Sequence, residues 1–423
     1  MLWTSWRFVV SVEAKSSSWY AMMSDLRFVG EFELLGDAWL PKAHVISTTP
    51  ALTIALQCLH MVAMLFALGS NGSGQLGIGH KNDTSVPQLV LGSADGSLTS
   101  LHQIGAGGNH TLFLNAEGHV DGVGEDEAGQ CARPRTLDSV SESTINPTSP
   151  AHGHAPESID QVTATWAASI LLSYDGRILT CGEGGGGELG LGHGVSKTLD
   201  QQHIPNFPPA GASIVQVASA MAHAIAVLDN GDAYGWGKGR KGQLGNPAEH
   251  VWSPRKVEGL HFPVVKAACG KDFTILAGDR STGQLVVLGL TGRDRFGVKL
   301  DAPRTIVGWK HIAASWGSVF VLYDDGHVEA WGRDDHGQLP PRDLPPLDAI
   351  APGSEHCLGL TKAGRVLAWG WGEHGNCGAP VDAEGDVKGR WNEVDIPSSP
   401  SAVYAGCATS FVATKECIRS PRG

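Results

Sequence analysis

Charge is scarce in this chain, and basic charge is scarcer. Only 17% of the 423 residues are Asp, Glu, Lys or Arg, and 31 Lys and Arg face 43 Asp and Glu, for a net charge of −12. A chain of that sign as a whole does not suit a phosphate backbone, so direct nucleic-acid binding is not expected. No Cys-x-x-Cys pair occurs among the eight cysteines, which are spread singly. Cys181, Cys269, Cys357 and Cys407 fall in or beside expected strands, as buried thiols do. A disulfide frame is excluded, and a reducing compartment is expected: the cytoplasm, with the nucleus as a second location. Gly-Lys-Ser/Thr is also missing. The glycine runs Gly182–Gly190 and Gly235–Gly242 therefore lack the phosphate-loop lysine, and neither opens a helix that could hold phosphate. No Ser-His-Asp or paired-carboxylate set assembles from the spacing. We expect a non-enzymatic protein without a cofactor.

Glycine is what the chain has in abundance, 56 in all, and its copies fall at repeat positions. Seven times a short strand ends in a residue plus glycine and then opens a glycine-rich turn. The copies are Leu68-Gly69 to Gly77, Val123-Gly124 to Ala132, Cys181-Gly182 to Gly190, Trp236-Gly237 to Gly245, Leu288-Gly289 to Gly297, Trp331-Gly332 to Pro340 and Trp369-Gly370 to Gly378. The first glycines lie 55, 58, 55, 52, 43 and 38 residues apart, from their numbers. A period of that size marks an array or a closed propeller. The fifth copy has lost its Gly-Gln pair and carries Asp294-Arg295.

A second motif runs out of phase: small residue, Gly, two variable residues, His or Ser, then an apolar strand. Its best copies hold His110, His223 and His356, and weaker ones lie around Ser169, Phe273, Ser318 and Ser410. Between the motifs sit Asp175-Gly176, Asn230-Gly231 and Asp325-Gly326, with Glu117-Gly118 and Ala363-Gly364 as variants. These pairs predict two-residue primed hairpins, in which both central positions need positive φ. The repeat region opens on a first-type strand, Leu65–Gly69, and closes on a second-type motif, Cys407–Ala413. Joined, the halves make one blade. The fold expected is all-β, a seven-bladed β-propeller closed by pairing the N- and C-terminal strands, which leaves no open edge.

These motifs resemble those of the regulator of chromosome condensation repeat family, over roughly Met64 to Thr414, and the resemblance implies seven blades. The opening Met64–His80 is similar to the start of small fungal propellers related to the alpha-tubulin suppressor. That likeness implies a scaffold without catalysis, which pairs with a small zinc protein in diphthamide synthesis and Elongator-dependent tRNA wobble-uridine modification. The alternative implied by the family is guanine-nucleotide exchange on a Ran-type small GTPase. No basic, chromatin-binding N-terminal tail is present to favour it. Either role makes the protein a monomer or a heterodimer with its partner.

Three stretches stand apart from the repeats. Residues 1–63 carry four of the 13 tryptophans and no repeat motif, and read as an extension or a gene-model artefact ahead of a 64–415 propeller. Ala51–Leu68 has no charged side chain over 18 residues, yet Leu65–Leu68 is required as a propeller strand, so no membrane span is expected. Residues 133–160, rich in Ser, Thr, Pro and His, read as a mobile insertion loop, and 416–423 as a tail.

Candidate site residues follow from departures within the repeat. Lys238, Arg240, Lys241, Arg255 and Lys256 form a basic cluster on an acidic chain, suited to an acidic partner or simply solvated. Trp371 and Trp391, beside His374 and Arg390, lie outside the Trp-Gly slot and would suit a protein interface. Trp236, Trp331 and Trp369 are expected to pack between blades. His110, His223 and His356 share a slot in different blades, too far apart around a ring for one metal ion, and are read as structural. No metal ligands are assigned. The glycines at 69, 77, 124, 182, 190, 237, 245, 289, 297, 332, 370 and 378 are read as turn residues (Gly69, Gly77, Gly124, Gly182, Gly190, Gly237, Gly245, Gly289, Gly297, Gly332, Gly370, Gly378).

Overall fold

The computed structural model describes residues 64–92, 100–133 and 157–415, together with the backbone strands Val10–Ser11, Val29–Gly30, Leu59–Val62, Ala151–Gly153 and Glu416–Arg419. Two compact units are present: Met61–Cys417, and Met1–His60 with Ile418–Gly423. In the smaller, Val10–Ser11 pairs antiparallel with Val29–Gly30. Every regular element among the described residues is a strand, and no helix there is long and apolar enough to cross a membrane.

Met61–Cys417 is a seven-bladed β-propeller of antiparallel sheets. Blade 1 runs Leu101–Ala106, His110–Asn115, Val120–Gly124 and Ala151–Gly153, and blade 2 runs Ile159–Ala164, Ala168–Ser173, Ile178–Glu183 and Lys197–His203. Blade 3 is Ile214–Ala220, His223–Leu228, Ala233–Gly237 and Val251–Lys256. Blades 4 and 5 have three strands each: Lys266–Cys269, Phe273–Ala277 and Leu285–Gly289, then Trp309–Ala314, Ser318–Tyr323 and Val328–Gly332. Blade 6 is Leu347–Pro352, His356–Thr361, Val366–Trp371 and Asp386–Val394. Blade 7 is composite: Pro400–Ala405 and Thr409–Thr414 continue into Leu65–Gly69 and Thr84–Leu89. The joint runs in register from Thr409 opposite Gly69 to Ala413 opposite Leu65. Closure pairs what would otherwise be an aggregation-prone edge.

The second strand of each blade reads as a continuous apolar run because sheets stack on both its faces. His110–Asn115, His223–Leu228 and Thr409–Thr414 are buried throughout. The core is accordingly interblade. Phe113 of blade 1 meets Phe411 of blade 7 edge to face, with centroids 5.8 Å apart. Trp236, Trp331 and Trp369 donate through Nε1 to Glu188 O, Val298 O and Gln338 O in the turn of the preceding blade, at 3.0, 2.8 and 3.0 Å. A large ring fills the wedge, and its one polar atom finds a partner.

The sequence Gly-Gln-Leu-Gly is explained by this turn. Gln75, Gln130, Gln243 and Gln338 each accept through Oε1 from the backbone N–H two residues upstream, at 2.8–3.0 Å. Leu76, Leu189 and Leu244 are buried between blades. The flanking glycines hold positive φ, as at Gly242 (82°) and Gly245 (77°). At the strand end Gly237 has φ 104°, and a Cβ there would lie 2.6 Å from Ala222 O, so only glycine fits.

Two local expectations are corrected. The hairpins are three-residue loops, not two-residue primed turns. Gly176 N donates to Ser173 O while Ser173 N donates to Arg177 O, and Gly176 alone has positive φ (83°). Asn230-Gly231 and Asp325-Gly326 close the same way. This is a type I turn followed by a left-handed glycine. The Asn or Asp serves through its side chain, with Asn230 Oδ1 accepting from Asp232 N at 2.9 Å. In blade 4 the turn register differs by three residues. Asp294 accepts from Val298, Lys299 and Leu300 N–H at 2.8–2.9 Å, the role of Asn71 and Asp334 elsewhere. Gly297 therefore stands in the slot of Gly74, not of Gly77, and Gly289 is followed by three extra residues.

Within 133–160, Ala151–Gly153 pairs with Val120–Gly122 as the outer strand of blade 1, and Arg133 is buried, donating to Gly122 O at 2.8 Å. Residues 134–150 and 154–156 lie outside the described residues, as do most of 1–63 and residues 420–423.

Candidate partner-binding rim

Antiparallel order places the first-to-second-strand loops and the glycine turns at one end of every blade, and the hairpins at the other. At the glycine-turn end the first-to-second loops converge on the ring axis. One residue per blade occupies the same slot, two positions before the histidine slot: Gly108, Trp166, Met221, Lys271, Trp316, Ser354 and Cys407. Their backbones are joined around the axis. Gly108 N donates to Trp166 O, Trp166 N to Met221 O, Lys271 N to Trp316 O, Trp316 N to Ser354 O and Ser354 N to Gly406 O, at 2.9–3.0 Å. A cavity of about 120 Å³ lies inside this belt, lined by all seven blades.

Trp166 and Trp316 approach over that mouth, centroids 6.0 Å apart and tilted by 40°, and Lys271 Nζ lies 5.1 Å over the Trp316 ring. Trp166 is 42% exposed. An aromatic held by a backbone belt yet open to solvent is the kind of anchor that interfaces use. Neither tryptophan follows from the Trp-Gly pattern, although a comparison of the seven slots would have found them.

The basic cluster divides in the structure. Lys238, Arg240 and Lys241 are exposed on the blade 3 turn at this rim, with Lys238 Nζ 3.9 Å from buried Glu188. Arg255 and Lys256 end the outer strand instead, paired with Glu249 at 2.9 Å and Asp232 at 2.8 Å. The aromatic group divides as well. Trp371 is half-buried and meets His374 edge to face at 5.3 Å, while His374 Nδ1 lies 2.7 Å from Asp83 of blade 7. Trp391 packs against the core of blade 6, and Arg390 is held by Pro380 O and Asn392.

The three slot histidines are interblade links. His110, His223 and His356 reach Ser169, Thr274 and Ser410 of the next blade through Nε2, at 3.0, 2.9 and 2.9 Å. Each hydroxyl donates on to a turn carbonyl, Gln130, Gln243 or Asn376. Burial lowers all three histidines to a pKa of about 4, so they are neutral at pH 7. In blade 7 the histidine slot is held by Thr409, opposite Gly69, and Ser410 is the partner of His356. No three His, Cys, Asp or Glu come together as metal ligands among the described residues. Burial also raises the thiols, Cys269 to about 12 and Cys357 well above its ordinary value.

The comparisons agree with this architecture. The RCC1-like domain family matches residues 64–414. An RCC1 repeat-containing protein of Schizosaccharomyces pombe is 31% identical, over 84% of this chain and 99% of its own length. The secretion-regulating guanine nucleotide exchange factor of Mus musculus is 28% identical, over 84% and 83%. Among solved structures, Prp20p of Saccharomyces cerevisiae, described with its binding to Gsp1p and histones, superposes with a TM-score of 0.70 at 19% identity, covering 86% of this chain and 94% of its own. The chain belongs to the RCC1-like domain family.

Proposed function

We propose that this protein is a guanine-nucleotide exchange factor for a small GTPase, acting through the glycine-turn rim. The observation that carries the reading is the match to the secretion-regulating exchange factor across more than four-fifths of both chains. The site is compatible. Its axial cavity of about 120 Å³ is below the size of small-molecule pockets, roughly 300 Å³ and above. The surrounding rim offers an exposed aromatic and mixed charge to a protein surface. Exchange needs no catalytic side chain: it follows from tighter binding to the nucleotide-free GTPase than to the loaded one. The test uses a Ran-type GTPase loaded with a fluorescent GDP. Release should accelerate with the full chain and lose most of that acceleration in Trp166→Ala. Unchanged release across a panel of small GTPases refutes the reading.

A second reading is a scaffold that holds a small zinc protein. It is favoured by the Met64–His80 resemblance and by the fungal relative, which this chain matches over 99% of its length. Stoichiometric capture of a recombinant small zinc protein, with no nucleotide release from any GTPase, selects it.

A further inference from the structure

Among the described residues, blades 4 and 5 lack the outer strand that the other five possess. The spans Gly289 to Gly332 and Gly332 to Gly370 are 43 and 38 residues, against 52 to 58 between the other successive copies. The deficit falls after the third strand, where the fourth would form. Burial records the consequence. Third strands Val120–Gly124, Leu65–Gly69 and Val366–Gly370 are buried throughout. In Leu285–Gly289 of blade 4, by contrast, Leu285, Val286 and Leu288 are only half-buried.

The two open edges are guarded differently. Beside blade 5 runs 333–346, which holds Pro340, Pro341, Pro345 and Pro346, residues without an N–H that blunt pairing. Beside blade 4 runs 290–308, which pairs only at the far end of the edge. Thr305 bridges Gln284, and Ile306 N donates to Gly283 O at 2.8 Å. Among the described residues no backbone hydrogen bond joins Val286–Gly289 to that segment. Around this edge Leu300 is 80% and Val307 57% exposed. Arg293, Lys299 and Arg304 are exposed and make no ion pair among the described residues, on a chain of net charge −12.

We propose that the open edge of blade 4 is a docking site for an extended acidic segment of a partner protein, which adds as the missing fourth strand beside Leu285–Gly289. Main-chain hydrogen bonds supply the generic attraction. Apolar side chains on one face of the incoming strand cover Val286 and Leu288, Leu285 lying on the opposite face, and its carboxylates meet Lys299 and Arg304. The site is distinct from the axial mouth, so its occupancy does not depend on the exchange reading.

The probe is a labelled octapeptide alternating valine and glutamate, titrated into the full chain by fluorescence anisotropy. Binding should saturate, weaken with salt, and lose about tenfold in affinity in K299E/R304E, while K238E/R240E on the blade 3 turn leaves it unchanged. N-methylating one set of alternate peptide amides should abolish binding, and methylating the other set should not, because only one set faces the edge. The Val287 and Gly289 amides, which face away from Phe273–Ala277, should gain hydrogen-exchange protection on binding. No binding, insensitivity to both methylated peptides, or no added protection overturns the proposal. So does concentration-dependent self-association that protects the same amides, which makes the occupant a second copy.

Discussion

His356 of blade 6 and Ser410 of blade 7, 54 residues apart in sequence, meet at 2.9 Å, and Ser410 passes the bond on to Asn376 O in the turn of blade 6. One hydroxyl thus ties a strand to two elements of its neighbour. The same relay recurs at His110 with Ser169 and His223 with Thr274.

Acid should weaken these links. The histidines have a pKa of about 4 in the fold against an ordinary value of 6.5, so between those values the unfolded chain binds more protons than the native one. Their contribution is fully present above pH 6.5 and declines as pH falls toward 4. The melting temperature should drop across that window. Replacing His223 by Gln should flatten the drop, as read by thermal unfolding at pH 4 to 7.

Ring closure should dominate stability at the composite blade. Phe411→Ala removes a fully buried ring from the blade 7–blade 1 wedge and should cost about 3–5 kcal/mol in denaturant unfolding. Deleting Leu65–Gly69 should leave the ring open and the protein aggregated, by light scattering. Deleting residues 1–63 should leave the melting temperature nearly unchanged.

Gly237→Ala should be far worse than its one added methyl suggests. The Cβ would sit 2.6 Å from Ala222 O at φ 104°, and strain at such a position costs about 1–3 kcal/mol before any clash. Gly176→Ala, also at positive φ (83°) but with nothing within 4 Å of its Cβ, should lose only the conformational part. Equal losses in the two variants would discount the close approach.

Partner association should be slower when Lys238, Arg240 and Lys241 are all reversed to Glu, and its salt dependence should shrink, since all three are exposed on one rim turn. Stopped-flow association checks this. Trp371→Ala should act mainly on dissociation, as truncation of a half-buried anchor does. Wild-type rates in both variants would place the contact elsewhere on the ring.

Purified protein should hold no stoichiometric zinc by elemental analysis. Its slot histidines are committed to neighbouring hydroxyls, and burial keeps Cys269 and Cys357 protonated.

The period, the seven turns and the split blade were legible in the sequence, because each depends on local backbone chemistry. Glycine is favoured where φ is positive, as at Gly245, and a repeat region that opens on one half-blade and closes on the other joins by pairing them. Only the tertiary structure decided what depends on side chains from different blades meeting. It made Ser410 the partner of His356 and left the slot to Thr409, moved Gly297 by three residues, and separated Arg255 and Lys256 from the rim. It also brought Trp166 and Trp316 together over the axis, 150 residues apart in the chain. The short spacings after Gly289 and Gly332 were visible from the start. That they expose two sheet edges emerged only once the strands were paired, because an edge is defined by what fails to lie beside it.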